Sequence, residues 1–598
     1  MDIETISISS VQIPILISIS KINENKLFII NYNLLKINQD LAVFNLWKDF
    51  FNYLNKQKIK TIFVHNLGKF DGLFIYKNLL REYSPNIIKT IIDQHNSFVQ
   101  ISIKIANFEI IFKDSLRIFP ISLNELSKVF GVEGKISKYN PEFNKISLFD
   151  NKSLLNEFIT YSLQDSICLL NALLKAQKHY LEKYLIDITS IVSTSTLSFK
   201  IFRTHYLKNN IPILNKNQDL FIRKSYFGGA TDYFRAFGKN LFYYDVNSLY
   251  PFAMCKPMPY KLIKFHKDLS NFELNNFFGF LEVEIQTPKN LIYPLLPYKN
   301  EGLTIHPLGK FTWIYFSEEL KAVSKYGYKI KLIEGYEFSK TNLFKKYIDH
   351  FYNIKKTSIG TERYISKLHL NTLYGYFGRS LNLLETVIIK NNKINNISKD
   401  HKIKNIYEIN EEYSSLLINK VKNKQSFIKS NVSIASAVTS YARIEMIKLK
   451  IYCLKNNIKI FNTDTDSIFT DKPLPSKFIG DDIGLLKDEM NGIIIQEAYF
   501  LGIKQYGYWF FDLQNNRVFR SVFAGVPRNS LSFKDIIYIS KGNSMKRIIT
   551  NRFFKSFNNL NIKIANTHLT IRRSDNKVLK NNIYQPINIK TTHIIWWL

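Results

Sequence analysis

The sequence predicts a multidomain chain of mixed α/β and α+β class, and three observations lead there. Its 598 residues correspond to about four units of ~150 residues each. Its apolar content of 45% is that of a globular protein. Short strand-like runs at 61–66 and 241–244 are interspersed with helix-period segments at 154–174, 194–207, 354–379 and 433–457. The formal charge of +33 suits a polyanionic partner, most simply nucleic acid, with an anionic membrane surface as the competing reading. Part of that charge has a second source, because abundant Lys, Asn, Ile, Phe and Tyr are what AT-rich codons produce. Cys168, Cys255 and Cys453 are too dispersed for a zinc site or a disulfide framework. No apolar run reaches the ~18 residues needed to span a bilayer. There is no signal-peptide layout, and acidic residues from Asp2 onward do not fit an import leader, so a chain acting in mitochondria would be made there.

In chain order, MDIETISIS places Asp2 and Glu4 on one face of a strand continuing through Ile6 and Ile8. The strand at 61–66 runs into LGKFDG, where Gly68 and Gly72 allow a sharp loop beside Asp71. The helix at 154–174 carries Tyr161 and Asp165 one turn apart, hence on one side. Each carboxylate alone reads equally as a solvated or capping group. Together Asp2, Glu4, Asp71 and Asp165 form an acidic set suited to two cations ~3.5–4 Å apart for phosphodiester hydrolysis, with Tyr161 positioning the water.

A second acidic set starts at Asp245, at the end of the 241–244 run, and continues in IKIFNTDTDSIFT (458–470). That stretch reads as a β-hairpin with Asp464 and Asp466 at its tip. Carboxylates so close repel each other unless a divalent cation lies between them; in isolation the pair reads equally as a solvated turn. Between these carboxylates, the helix at 354–379 aligns Arg363, Lys367, Asn371 and Tyr374 along one face. Tyr226 precedes Gly228-Gly229, a pair that permits close backbone approach. Lys504 and Tyr506 share one face of a strand-like segment at 497–510.

MDIET, HNLGKFDGLF and YSLQDS resemble the three motifs of the 3′–5′ exonuclease domain of family B DNA polymerases. DVNSLYP, KLHLNTLYG and DTD resemble the polymerase motifs of that family, and the likeness, over about residues 1–530, is to its protein-primed branch of linear mitochondrial plasmids, phages and adenoviruses. The resemblance implies a ribonuclease-H-like exonuclease domain followed by palm, fingers and thumb. It makes residues 1–185 the exonuclease domain, 186–260 a linker and the first part of the palm, and 261–343 a first insertion of protein-primed type. Residues 344–385 become the fingers, 386–425 a second insertion that wraps the template, 426–520 the second part of the palm, and 521–598 a thumb-like region whose terminal tryptophans dock on the core.

Residue by residue, the resemblance gives Asp2, Glu4, Asp71 and Asp165 as exonuclease metal ligands with Tyr161 as their catalytic partner. Thr5, Asn66, Phe70, Ser122 and Leu123 would hold the frayed single strand, and Tyr226, Gly228, Gly229, Lys504 and Tyr506 would touch the primer–template. Asp245 and Asp466 would bind two Mg²⁺ per active site, Mn²⁺ being the alternative, with Asp464 auxiliary; one ion activates the primer 3′-hydroxyl and the other stabilises the leaving pyrophosphate. Tyr250 would exclude a ribose 2′-hydroxyl. Lys355, Arg363 and Lys367 would grip the triphosphate, and Asn371 and Tyr374 would complete the nucleotide site. Two departures stand out. Only Met1 precedes Asp2, so either the start is truncated or misassigned, or the first carboxylates are poorly anchored. Asn462 stands where the family has Tyr, with Phe461 one position early.

The expected activity is therefore DNA-directed DNA synthesis with proofreading. It would act as a monomer on primer–template DNA and dNTPs, with a terminal priming protein and no membrane. The expected setting is the mitochondrion or a mitochondrial linear plasmid, with a cytoplasmic plasmid or virus as the alternative. Competing readings are a degenerate enzyme retaining one activity, an RNA-templated polymerase, and a non-catalytic basic nucleic-acid-binding protein.

Overall fold

The structure is a computed structural model that describes residues 1–93, 95–105, 107–136, 139–379, 384–408, 413–419, 430–556 and 560–589. The terminal tryptophans and part of the second insertion lie outside the described residues.

Strand Asp2–Ile8 pairs antiparallel with Val11–Lys21, setting Asp2 opposite Ser18 and Glu4 opposite Leu16. The ladder runs the whole length of the strand, so the first carboxylates are firmly held and the expectation of poor anchoring is corrected. Val11–Lys21 (VQIPILISISK) is buried on both faces because helices Gln39–Lys56 and Lys152–Tyr184 both pack against it. A second sheet is built from Thr61–Val64, Phe108–Asp114, Phe98–Ile105 and Ile88–Ile92. The second insertion extends it to seven strands through Leu384–Lys390, whose Thr386 pairs with Thr90. Leu417 of the insertion joins the N-terminal core, and the Tyr76 hydroxyl donates to Ser415 Oγ at 3.3 Å.

The largest sheet has eight strands with Phe237–Val246 at its middle. On one side lies the hairpin of Ile460–Asp464 and Ser467–Thr470; on the other lie Ile495–Gly502, Gln505–Phe511 and Arg517–Phe523. The first insertion forms its own sheet from Met258–His266, Lys329–Thr341, Gly279–Gln286 and Leu308–Phe316, to which Asn588–Ile589 adds. The C-terminal hairpin Met545–Ser556/Asn561–Ile571 bridges back to the N-terminal strands, Lys563 pairing with Val11.

Three elements differ from expectation. The helix at 354–379 is two helices, Lys345–Thr357 and Gly360–Phe377, because Gly360 takes a φ of +58° that L-residues rarely adopt. The segment at 497–510 is a hairpin that turns at Ile503-Lys504, so Lys504 (φ +54°) and Tyr506 do not share a strand face. The helix expected to be amphipathic, Val432–Lys455, is buried on nearly every side, because it runs between the fingers helix and the first insertion.

Inside that helix, the Arg443 guanidinium forks onto Glu319 at 2.6 and 2.7 Å, with side chains 1% and 0% exposed. It also donates to the carbonyls of Phe227 (3.2 Å) and Gly228 (2.9 Å). Two buried charges cost several kcal/mol each to desolvate, which this bidentate geometry offsets only while both are present. Glu319→Ala is therefore expected to cost about 3–5 kcal/mol, read as a fall in the urea midpoint. Glu284→Ala, which removes only the exposed partner of Lys310, should change stability by less than about 1 kcal/mol.

Candidate active sites

Asp2 and Glu4 leave one face of the first strand, Asp71 opens the helix Asp71–Glu82, and Tyr161 and Asp165 face them from Lys152–Tyr184. One carboxylate oxygen each from Asp2, Glu4 and Asp165 lie within 4.8 Å of one another, at the wall of a cleft of 1430 Å³ that Asp71 also lines. Burial, with Asp165 adding, pushes Asp2 up to about 6. Burial and then Asp2 hold Glu4 and Asp71 well above the usual carboxylate range. Asp71 Oδ1 and Asp165 Oδ1 are buried without a hydrogen-bond partner. Crowded oxygens that outnumber their counter-charges fit a hard divalent cation.

Nothing in the residues around Lys135 marks it as part of this site. Its ammonium lies 2.5 Å from Asp165 Oδ2 and 3.1 Å from the Tyr161 hydroxyl. Burial opposes the charge on Lys135, but Asp165 outweighs it and holds the ammonium above its ordinary value. Asp114 was also missed; it accepts from the backbone N–H groups of Asn66 and Gly68, each at 3.0 Å, and so fastens the loop that leads to Asp71.

Thr5, Asn66 and Phe70 line the cleft. The Thr5 hydroxyl is turned onto buried Gln12 Oε1 at 2.6 Å, and the Phe70 ring meets Phe553 of the C-terminal hairpin edge-on at 5.3 Å. Lys555 of that hairpin donates to Gly68 O, so the thumb-like region closes the cleft. Ser122 and Leu123 stand apart from it. Ser122 caps the helix Leu123–Phe130 in a reciprocal box with Glu125, and Leu123 turns into the core. The pair starts a helix, with the exposed Ser122 hydroxyl engaged in the cap.

In the large sheet Asp245 sits opposite Ser467, and the Val246 amide donates to Asp466 O at 2.8 Å. The tip of the hairpin turns through Thr465 at φ +64°. Asp466 therefore belongs to the turn itself and is not the next same-face residue of a strand. Burial, then Asp466 and Glu489, pushes Asp245 up to about 7; burial and Asp464 also raise Asp466. Asp464 is held on both oxygens, by Thr231 Oγ1 at 3.2 Å and Lys504 Nζ at 2.9 Å, which suits an auxiliary role. Glu489 is a third carboxylate beside Asp245, brought in by the strand Leu486–Asp488, whose Lys487 pairs with Asp245. Sequence reading missed both, since LLKDEM carries no periodic or turn signal.

Gly229 lies directly on this turn: a Cβ there would come within 2.6 Å of the Thr465 side chain. Gly228 is open to solvent and Tyr226 is half-buried. Asn462 is buried and pairs with Tyr233, while the Phe461 ring packs over Gly238. Tyr506 is buried with its ring against Phe469 at 5.5 Å. Across the site the rings of Tyr250 and Tyr374 stack at 4.6 Å. Lys355 donates to Ser248 Oγ at 2.8 Å, and Arg363 donates to Lys355 O at 2.8 Å. Burial, then Lys367 and Arg363, pulls the Lys355 ammonium down, as expected of cations gathered without their anion. Lys367 and Asn371 are exposed on the same helix face.

The profile of the family described as DNA polymerase type B, organellar and viral, matches residues 52–149 and 135–452. A probable DNA polymerase of Podospora anserina is 33% identical over 455 residues, covering 67% of this chain and 38% of that protein. One of Neurospora intermedia is 30% identical over 589 residues, covering 88% and 59%. The chain thus spans well under two thirds of these relatives' own length. Its fold matches that of phi29 DNA polymerase complexed with primer–template DNA, at a TM-score of 0.72 and 19% identity, over 95% of this chain and 99% of the other. With the family profile running from the second exonuclease carboxylate segment through the fingers and into the buried helix before the DTD turn, the chain belongs to the type B DNA polymerases of organelles and viruses.

Proposed function

We propose that this chain is a DNA-directed DNA polymerase that proofreads, carrying synthesis and 3′–5′ hydrolysis in separate sites. The observation that carries the reading is that two buried carboxylate sets occur in different sheets. Only the Asp245–Asp466 set lies beside the Tyr250–Tyr374 stack, and Lys355, with Lys367 and Arg363 close by, reaches Ser248 three residues beyond Asp245. Asp245 and Asp466 would hold divalent metal at the first site, and Asp2, Glu4, Asp71 and Asp165 at the second; metal bound there would make an oxygen nucleophile available at neutral pH. The chain's own residues do the rest. Lys355, Arg363 and Lys367 bind the triphosphate, Tyr250 and Tyr374 wall the sugar and base, and Lys504 braces Asp464. At the second site Lys135 holds Tyr161 and Asp165 in register over the cleft.

The finer expectations belong to the same proposal: Mg²⁺ or Mn²⁺ as the ion, a terminal protein as primer, a monomer on DNA, and replication of a mitochondrial or plasmid genome. The charge of +33 and the AT-rich composition support the DNA partner and an organellar or plasmid coding site. No helix among the described residues is long and apolar enough to cross a membrane.

Asp466→Ala should abolish primer extension while leaving single-strand degradation, and Asp71→Ala should do the reverse, both measured on a labelled primer–template and a labelled single strand. If both variants kept both activities, the assignment of the sites would fail. A pH dependence follows from Asp245. Its folded value of about 7 lies above the ~3.9 of an unfolded Asp. Its contribution to stability is therefore full below the unfolded value and is lost as pH rises through the folded one. In chelator, Asp245→Asn should raise the melting temperature more at pH 8 than at pH 5. Added Mg²⁺ should narrow the gap at pH 8, because both chains keep the second site and only the unsubstituted one keeps Asp245 for the first; equal shifts at both pH values would refute the part-buried, metal-seeking carboxylate.

A further inference from the structure

The fingers helix Gly360–Phe377 presents Arg363, Lys367 and Asn371 outward, while two polar residues on it, Ser366 and His369, point the other way. His369 is completely buried, and both ring nitrogens are engaged: Nδ1 lies 2.7 Å from Ser198 Oγ and Nε2 lies 2.9 Å from the Tyr180 hydroxyl. Tyr180, also fully buried, belongs to Lys152–Tyr184, the helix that carries Tyr161 and Asp165 four to five turns earlier. Ser198 comes from the linker helix Thr194–His205 and reaches Thr372 Oγ1 at 2.8 Å. The Tyr347 hydroxyl, from Lys345–Thr357, donates to His369 O at 3.1 Å. Four helices thus meet at one residue.

Apolar packing would hold these helices together, but it would tolerate rotation and sliding. Directional hydrogen bonds in a dry interior do not, because a small displacement leaves buried groups unpaired. The same two helices are tied again at their rim, where Glu362 takes Lys183 at 2.5 Å. Burial pulls His369 down to about 3, so the ring is neutral and presents one donor and one acceptor. Lys367 stands two residues before it, Asn371 two after and Tyr374 five after, all within the helix whose far end stacks on Tyr250.

We propose that His369 is a positioning residue for nucleotide binding: its hydrogen bonds to Tyr180 and Ser198 set the rotation of the fingers helix and thereby present Lys367, Asn371 and Tyr374 to the incoming dNTP. This rests on the nucleotide-site reading above and adds that the exonuclease domain's long helix is the seat on which that site is aligned.

The test is steady-state single-nucleotide incorporation by the full chain. His369→Met removes both bonds at similar volume, and Tyr180→Phe removes one oxygen. Each should raise KM for dNTP, roughly tenfold for the first, with kcat held within about twofold and single-strand degradation unchanged. His369→Asn, which keeps a donor and an acceptor, should recover part of the loss. The triple variant His369→Met/Tyr180→Phe/Ser198→Ala leaves no orphaned group, so it should regain thermal stability while KM stays high. A KM that returns to normal in the triple variant, or that never rises in the single variants, overturns the positioning role. So does a parallel fall in kcat and in single-strand degradation, which would mark general unfolding. An unsubstituted chain that incorporates no nucleotide would instead sink the polymerase reading itself.

Discussion

A guanidinium and a carboxylate sealed from water govern the geometry of the Asp245–Asp466 site. Arg443 forks onto Glu319 and spends its remaining donors on the carbonyls of Phe227 and Gly228. Those carbonyls fix the loop whose next residue, Gly229, lies against Thr465 of the DTD turn. From there the chain continues to Thr231, which bonds Asp464, and to Asp232, whose strand pairs with the hairpin and which forms a buried ion pair with Lys577. A contact between the central helix and the first insertion thereby sets where Asp464 and Asp466 lie. The double glycine, expected as a DNA contact, has at least as strong a role inside the protein, because only a residue without a side chain fits against the turn.

The two carboxylate sets solve one electrostatic problem in the same way. Each gathers acids at closer range than water would allow, held by strand pairing and helix packing, and each sets lysine beside only some of its members, Lys487 on Glu489 among them. Lys135 neutralises Asp165 in the first set and Lys504 neutralises Asp464 in the second. Burial keeps Asp165 raised even so, and Asp2, Glu4 and Asp71 in the first set and Asp245 and Asp466 in the second are raised likewise. This is strain stored where it can be released by binding a cation, at the expense of stability in the free chain.

The metal-seeking residues were legible in the sequence because their chemistry demands acids at strand ends and helix faces, and the hairpin at 460–470 was legible from its alternation and turn. The supporting residues were not. Lys135 sits in a loop, where no period marks it, Asp114 closes the strand Phe108–Asp114 with nothing in the strand pattern to single it out, and Glu489 follows a short strand with no signature. The burial of Val432–Lys455 was hidden because its Ser- and Ala-rich start reads as a polar face, whereas those small side chains let neighbouring elements close in on all sides. The break at Gly360 was overlooked because an apolar pattern persists across it. Ser122 shows the converse: SLNEL carried a capping box in plain view.

The strand Leu384–Lys390 completes a sheet begun by Ile88–Ile92, nearly three hundred residues earlier in the chain. During synthesis the edge of Ile88–Ile92 therefore waits, at ~5–20 residues per second, roughly 15–60 s for its partner. An uncovered edge with Ile88, Thr90 and Ile92 on its inner face invites pairing with another nascent chain. Lys89, exposed in the middle of that strand, places a charge where a second edge would dock, so the ribosome-bound half of the molecule carries its own guard until the insertion arrives.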